Sequence, residues 1–319
     1  MDKIAKKTNK KLLAALAVMA VAFVVFAAVP AVDADSDATV TEGNVAKIGD
    51  VGYPSLVEAF KAVKTGETIT LIKNVPNGSG IGIYAPAVCG LEGYGIKDTA
   101  AEGQPFVSVA NDVTIDFNGF NYAVESPAVG SKGYETQGFH IEQGYKLTLK
   151  NGTLSVKDGA SSIYMLFQNY SDLTLDNMVL DGTNLGSGLY TLSNNNGTIV
   201  IKDTNIKAPT NGFAFDVYGF QEDAAVDVTV SGTSTINGNI EFADSQNDKS
   251  HNLSLTINGG TIKGVLKVVD SEKTNTTSTL TINGGSFSEP IENSKVIKVG
   301  KDGVLKADVV FQKKAASIE

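Results

Sequence analysis

The sequence contains no arginine and no tryptophan, and only one cysteine and two histidines among its 319 residues. The single cysteine, Cys89, excludes an intramolecular disulfide and is most simply a small buried hydrophobic residue. Two histidines and one cysteine at unrelated spacings cannot form a four-ligand zinc site without carboxylates, so we expect no transition metal. The net charge is −9. The chain thus lacks the basic surface that nucleic acids require, and we expect no nucleic-acid partner.

A repeated strand pattern organises the chain. Leu253–Gly260 (LSLTINGG) returns almost unchanged as Thr279–Gly285 (TLTINGG). Apolar residues alternate with serine or threonine in both copies, as in a strand with one buried side. Weaker copies occur upstream. The last apolar residue of each copy, weak or strong, marks its position: Phe117, Leu149, Leu175, Ile201, Val230, Ile257 and Ile282. The steps of 32, 26, 26, 29, 27 and 25 residues predict a solenoid in one domain.

Asparagine or aspartate follows most of these strands at matching positions. Asparagine tolerates the left-handed turn conformation, and stacked asparagines can hydrogen-bond to one another. We therefore interpret these residues as structural corners of the solenoid: Asn151, Asn177, Asp203, Asn258 and Asn283.

The N-terminal segment, residues 1–34, has the pattern of an export signal. Five lysines precede an uncharged run, and the segment ends in small residues at Ala34. The uncharged run is also long enough to span a bilayer, so an uncleaved membrane anchor is the alternative. In both cases we expect the remaining chain to be secreted or displayed at the cell surface, with membrane contact only through this segment.

Residues 45–75 are predicted to form a strand–helix–strand cap after a flexible lead, residues 35–44. Ser55 precedes Glu58 by three residues, which is the spacing of a capping box at a helix N-terminus. Leu56, Phe60 and Val63 share one helical side, and Gly66 is the expected helix end. Such a helix would cover the apolar end of the solenoid.

This opening resembles a known superfamily. Ser55–Leu71 reads Ser-Leu-x-Glu-Ala-x-x-Ala-x-x-x-Gly-Glu-Thr-Ile-x-Leu, and repeated Thr-[Ile/Leu]-x-Asn-Gly strands follow. The pattern is similar to the right-handed parallel β-helix (pectate-lyase-like) superfamily, and most of all to adhesin-like prokaryotic surface proteins. The resemblance implies an all-β, right-handed parallel β-helix of about eight to nine rungs with a short N-terminal capping helix. It says little about activity, because a fold does not determine a function.

The β-helix is expected over residues 76–311, with enlarged loops at 76–104 and 120–145 and a polar tail at 312–319. The first loop region is rich in glycine and proline, and the second contains several aromatic residues. Long loops without regular structure are often functional.

Polysaccharide cleavage is the enzymatic alternative that the resemblance suggests. The hydrolases of the superfamily are expected to carry Asn-Thr-Asp, Asp-Asp, Gly-His-Gly and Arg-Ile-Lys motifs, and this chain has none of them. Its lyases use arginine as a base, and this chain has no arginine. A hydrolase also needs two carboxylates at a set separation, and no pair stands out in the sequence. We therefore predict no catalytic residues.

Calcium is the one metal that Asp- and Asn-rich corners would suit, because it prefers oxygen ligands. The sequence lacks an EF-hand loop and the Gly-Gly-x-Gly-x-Asp repeat, so we expect no cofactor.

The aromatic residues are distributed unevenly, since all ten tyrosines lie at or before Tyr218. Tyrosines beside Asp and Asn on enlarged loops are suited to binding carbohydrate, and the alternative is that they pack the loops onto the solenoid. The predicted ligand-binding residues are Tyr84, Tyr94, Tyr122, Tyr134, His140 and Tyr145.

Together these observations predict an exported, non-catalytic β-helix that acts as an adhesin-like binding or scaffold module. Its expected partners are glycans or neighbouring cell-surface proteins. A polysaccharide lyase or glycoside hydrolase of the same fold, and a structural protein of a surface layer, are the two alternatives.

Overall fold

The computed structural model describes residues 40–83, 106–107, 112–130, 134–220, 224–243, 251–269, 277–289, 292–293 and 306–307. All of them belong to one compact unit, Thr39–Glu319. The described chain is all-β with one helix, and its strands stack in parallel as a β-solenoid. The predicted parallel solenoid is confirmed. Residues 1–34, 84–105 and 312–319 lie outside the described residues.

Each turn of the solenoid contributes strands to three sides. The first side contains Thr68–Leu71, Val113–Asp116, the first halves of Lys146–Val156 and Asp172–Asp181, then Gly197–Lys202, Ala225–Ser231, Asn252–Ile257, Thr277–Ile282 and Lys306–Ala307. The second side contains Val75–Gly78, Asn121–Val124, the second halves of the same two long strands, then Asn205–Lys207, Thr235–Asn237, Thr261–Ile262 and Ser286–Phe287. The third side contains Phe106–Val107, Ile81–Ile83, Gln137–Ile141, Met165–Asn169, Tyr190–Asn194, Phe213–Tyr218, Asn239–Ala243, Leu266–Val269 and Glu292–Asn293.

The repeat residues stack in register inside the first side. Leu149 pairs with Leu175, which pairs with Ile201, and the same column continues through Val230, Ile257 and Ile282. At the start of the series Leu149 pairs with Ile115 and not with Phe117, so the sequence alignment of that copy was wrong by two residues. Phe117 is also fully buried, which explains why the alternation alone did not distinguish the two.

The N-terminal cap contains the helix Leu56–Ala62, and the Ser55 hydroxyl accepts the Glu58 N–H at 3.1 Å as predicted. Leu56, Ala59 and Phe60 are buried in the same core cluster as the first stacked strand. The helix therefore covers apolar residues of the solenoid, as the amphipathic pattern required.

Two details of the cap differ from the prediction. The helix ends at Ala62 with Val63 as its C-cap, and Gly66 lies beyond it in a turn with a φ of 82°, so the left-handed glycine belongs to the loop and not to the helix end. Ala46–Ile48 pairs antiparallel with an additional strand, Val51–Tyr53, which the predicted strand–helix–strand cap did not include. The strands of this hairpin are too short and too rich in glycine for the sequence to show an alternation of apolar and polar residues.

The interval predicted as the second enlarged loop, residues 120–145, contains the strands Asn121–Val124 and Gln137–Ile141. Within 76–104, Ile81–Ile83 pairs with the later strand Gln137–Ile141. These strands are buried on both faces, so period-two alternation is absent from them.

The predicted asparagine corners are confirmed in part, because three of the five residues have the left-handed conformation, whereas Asn258 and Asn283 do not. Asn151, Asn177 and Asp203 have φ values of 59°, 56° and 50°, in the left-handed region. The Asn177 amide donates to Asn151 Oδ1 at 3.2 Å, and near the other end of the column Asn283 donates to Asn258 at 2.8 Å. The corner residues thus bend the chain from the first side to the second, and their side chains also join successive turns.

No helix in the described part of the chain is long and apolar enough to cross a membrane.

Candidate functional site

The six predicted ligand-binding residues do not form one site. Tyr84 and Tyr94 lie outside the described residues. Tyr134 is 74 % exposed, whereas His140 and Tyr145 are only 2 % and 3 % exposed. The structure therefore separates the predicted residues by exposure, and each has its own environment.

Tyr122 belongs to the core. It is 2 % exposed, its hydroxyl donates to the Ser79 carbonyl at 2.8 Å, and its ring meets Phe139 edge to face at 6.0 Å. Burial raises the pKa of Tyr122 to about 12. A ring in this position supports the packing interpretation, because no face of it is open to a ligand.

A cleft of about 380 Å³ lies at the corner where the third side turns into the first. We call it the tyrosine cleft, and its lining residues come from successive turns: Asp112, Gly144, Tyr145, Lys146, Tyr170, Ser171, Asp172, Asn196 and Gly197. Its volume falls within the range of small-molecule sites in proteins. Of the predicted residues described here, Tyr145 is the one that lines it.

The floor of the tyrosine cleft is fixed by hydrogen bonds between turns. The Tyr145 N–H donates to Ser171 Oγ at 2.6 Å, and the Ser171 hydroxyl donates to the Tyr145 carbonyl. One turn further, the Asn196 amide donates to the Tyr170 carbonyl at 3.2 Å. The two tyrosines are thus held rigidly at equivalent corners, so a ligand would not have to order them.

The rim of the cleft carries charges of both signs. Asp112 and Lys146 are exposed, and Asp172 is half-buried with one oxygen accepting the Thr198 N–H at 2.9 Å. Asp172 and Lys146 both line the cleft, and a carboxylate can accept hydrogen bonds whereas an ammonium group can donate them.

His140 lies behind the tyrosine cleft in a buried pair with Glu142. The His140 Nε2 and Glu142 Oε1 atoms are 2.5 Å apart, and both side chains are 2 % exposed. The His140 ring lies 5.6 Å from the ring of Tyr170, a cleft residue. Burial, followed by the charges of Glu142 and Asp216, raises the pKa of Tyr170, so its phenol stays protonated. His140 therefore supports the cleft from behind and does not line it.

Asp216 is the most perturbed carboxylate among the described residues. It is 5 % exposed, and it accepts hydrogen bonds from Ser193 Oγ at 2.8 Å and from the Asn194 N–H at 2.5 Å. Burial, assisted by the charge of Glu241, outweighs these bonds and raises the pKa of Asp216 to about 8. A carboxyl of this kind is largely protonated at neutral pH.

Sequence reasoning missed Asp216, Glu241 and Tyr170. The available signal was the single carboxylate inside the apolar run Phe213–Tyr218, a combination that marks a buried charge. Asp216 and Glu241 are register partners on adjacent strands, although they stand 25 positions apart in the chain. Whether Asp216 and Glu241 become neighbours depends on the exact length of the turn between their strands, and the repeat does not specify that length.

The third side differs electrostatically from the other two. On the first and second sides, carboxylates pair with lysines one turn away: Lys150 with Asp116, Lys202 with Asp176, Lys157 with Glu125 and Lys207 with Asp181. Burial alone would raise the pKa of Asp181, but the bonds from Lys207 and Thr183 lower it overall. The described third-side carboxylates Glu142, Asp216 and Glu241 instead face histidine, serine, backbone and tyrosine groups.

In the described part of the chain, no three residues among His, Cys, Asp and Glu are grouped so that they could hold a metal ion. The expectation that the protein uses no cofactor stays a prediction.

Comparison with protein-family models, with curated proteins and with solved structures gave no match to this chain. The solenoid architecture therefore rests on the stacked strands themselves. The finer resemblance, to the pectate-lyase-like superfamily and its adhesin-like members, stays a prediction.

Proposed function

We propose that this protein is an exported, non-catalytic binding module of the adhesin-like kind, and that it binds carbohydrate in the tyrosine cleft. The observation that carries this proposal is the cleft itself, which joins two immobile tyrosines to exposed polar groups on a regular scaffold. Secretion or surface display follows from the export pattern of residues 1–34 and is part of the proposal.

The chemistry of the cleft matches that of a sugar. A pyranose presents apolar C–H faces and a ring of hydroxyls, so its sites combine aromatic carbon with a few fixed polar groups. Tyr145 and Tyr170, which are 3 % and 8 % exposed, supply a small area of aromatic carbon, while Lys146, Asp172 and Asn196 supply donors and acceptors around it. Because the cleft is lined by residues of successive turns, it suits a segment of a longer glycan.

The first experiment is a glycan array probed with the purified protein, followed by titration with the glycans that bind. We expect saturable binding, and we expect Lys146→Ala and Asp172→Asn to weaken it by at least about tenfold, as the loss of one or two charged hydrogen bonds would. Lys157→Ala is the matched control, because that lysine is also partly exposed but lies on the second side.

All variants would be compared with the native protein by circular dichroism and thermal unfolding. If the two cleft variants bind like the native protein, or if no glycan binds saturably, carbohydrate binding in the tyrosine cleft is wrong. In the second case the scaffold role alone would be left.

A glycoside hydrolase is the second candidate, and one observation favours it. Asp216 and Glu241 are register partners on adjacent parallel strands, which lie about 4.8 Å apart. Retaining hydrolases hold their two carboxyl groups about 5–5.5 Å apart, with one of them protonated. Against this stands the burial of Asp216, whose oxygens are occupied by Ser193 and Asn194.

Hydrolysis would be tested by measuring reducing ends released from neutral and acidic polysaccharides. Activity that is lost in both Asp216→Asn and Glu241→Gln, and retained in Glu125→Gln on the second side, would establish the enzymatic alternative. If the native protein releases no more product than a variant with both Asp216→Asn and Glu241→Gln, the enzymatic alternative is eliminated.

A further inference from the structure

A second cleft, of about 410 Å³, lies at the opposite end of the third-side strands, where the second side turns into the third. We call it the asparagine cleft, and its lining residues are Thr183, Ala208, Pro209, Thr210, Asn211, Gly212, Asn237, Gly238, Asn239, Lys263 and Gly264. A third-side strand of five residues separates this corner from the tyrosine cleft by about 17 Å. The two clefts share no residue, so they are separate sites.

Two glycines of the asparagine cleft are required by the stacking of the turns. A Cβ on Gly264 would lie 2.1 Å from the Gly238 carbonyl oxygen, and one on Gly238, whose φ is 147°, would lie 2.2 Å from Ala208 Cβ. The turns therefore stack more closely here than any side chain permits. The resulting trough is lined by these glycines, by Ala208 and Pro209, and by polar side chains.

The walls consist of amides and hydroxyls with one ammonium group. Asn211, Asn237, Thr210 and Lys263 are exposed. Asn239 is held in place, because its Oδ1 accepts the Val265 N–H at 3.1 Å. No carboxylate lines the cleft, in contrast to the tyrosine cleft with Asp112 and Asp172.

An aromatic pair stands beside the trough, at the start of the adjoining strands. The rings of Tyr190 and Phe213 are stacked 4.6 Å apart at an interplanar angle of 11°, and both residues are half-buried. Phe213 directly follows Gly212 of the cleft and pairs in register with Asn239 of the cleft. The Tyr190 hydroxyl donates to Glu241 Oε2 at 2.6 Å, which fixes the position of the ring.

The protonation of Tyr190 supports this arrangement. Burial, together with the accepting carboxylate of Glu241, raises the pKa of the Tyr190 phenol, so it stays a donor throughout the physiological range. One carboxylate oxygen of Glu241 is thereby occupied by the Tyr190 hydroxyl.

From this geometry we infer that the asparagine cleft is a second carbohydrate site, with a neutral, hydroxyl-rich saccharide as its ligand. Asparagine amides both donate and accept, so they match sugar hydroxyls, and the Tyr190–Phe213 pair offers an apolar surface for a ring. The inference takes from the proposed function only the ligand class, and it does not depend on the tyrosine cleft. A chain with both sites would bind a polymer more tightly than its short fragments, because the second contact becomes intramolecular.

The experiment is isothermal titration of the full-length protein with cellohexaose, mannohexaose and chitohexaose. We expect at least one of them to bind, and Asn237→Ala to weaken that binding by at least about tenfold. Asn252→Ala is the matched control, since Asn252 is equally exposed at another corner and lines neither cleft. Asn237 and Asn252 are surface residues, so neither variant endangers the fold, which thermal unfolding would verify.

Two further variants separate this inference from its rivals. Lys146→Ala, in the tyrosine cleft, should leave binding at the asparagine cleft unchanged even if the proposed function fails. Lys263→Gln should change the affinity for a neutral sugar less than threefold. Loss of all binding in Lys263→Gln would mean that the ammonium group, and not the amides, dominates recognition of the sugar, and would overturn the inference, as would native affinity in Asn237→Ala or no binding of any of the three probes.

Discussion

The Tyr190 hydroxyl reaches across one intervening strand to donate a 2.6 Å hydrogen bond to Glu241 on the third-side strand two positions away. A hydrogen bond to a charged acceptor contributes about 1.5–3 kcal/mol when buried, and less when both groups are half-exposed. This bond links three successive turns through side chains, in addition to the backbone ladder.

The first prediction concerns that bond. Tyr190→Phe keeps the stack on Phe213 but removes the hydroxyl, and we expect a loss of about 1 kcal/mol in the free energy of unfolding. Urea denaturation would measure it. Tyr164→Phe serves as the control, because Tyr164 is 55 % exposed and its hydroxyl makes no hydrogen bond among the described residues. Equal stabilities of the two variants would show that the bond does not contribute.

The second prediction concerns the pH dependence of stability through Asp216. Its pKa is raised from 3.8 to about 8 in the folded protein, so the folded state binds the proton more tightly than the unfolded state. The contribution of this group is therefore fully present below pH 3.8 and is lost progressively as the pH rises through 8. The slope is limited to about 1.4 kcal/mol per pH unit.

Urea denaturation of the native protein and Asp216→Asn between pH 4 and pH 9 would check this. We expect the variant to gain stability relative to the native protein as the pH rises, because asparagine cannot ionise. Asp227→Asn changes an exposed carboxylate and should give no such trend. A constant difference between Asp216→Asn and the native protein across this range would contradict the prediction.

The third prediction concerns the buried column of the first side. Ile257 is fully buried between Val230 and Ile282, so Ile257→Asp would place an unpaired charge inside the solenoid. We expect a loss of more than about 4 kcal/mol, enough to unfold the neighbouring turns. Thr256→Asp introduces the same charge on the outside of the same strand and should cost less than about 1 kcal/mol. Hydrogen exchange would locate the turns affected.

The fourth prediction separates the two roles of a corner asparagine. Asn177 has a φ of 56° and donates to Asn151. Asn177→Gly removes the hydrogen bond but permits the left-handed conformation, whereas Asn177→Ala removes both. We expect alanine to be less stable than glycine by about 1 kcal/mol in thermal unfolding, since a Cβ disfavours this conformation. If alanine were the more stable variant, the corner conformation would not be the main constraint.

The repeat was readable from the sequence because it follows from local physics. One inward position in two must be apolar, and each corner needs a residue that tolerates a left-handed turn, so Leu175 and Asn177 recur as types at a nearly constant period. The cap was readable for the same reason, through Ser55 and the apolar side of the helix. Where alternation fails, as in Gln137–Ile141 with all five residues buried, the sequence indicated a loop and the structure has a strand.

The candidate sites were less accessible to sequence reasoning. Composition pointed to tyrosines, yet tyrosine is equally suited to packing, and Tyr122 is part of the core whereas Tyr145 lines a cleft. Asp216 and Glu241 become neighbours only because the turn between them has the length that brings their strands into register.

The sequence by itself determined that this chain is a parallel solenoid with asparagine corners and a helical cap, because those features depend on residues close together in the chain. Only the tertiary structure decided which polar residues meet. Contacts between turns join positions that lie far apart in the chain, and the length of the loop in each turn decides which polar residues meet without altering the repeat.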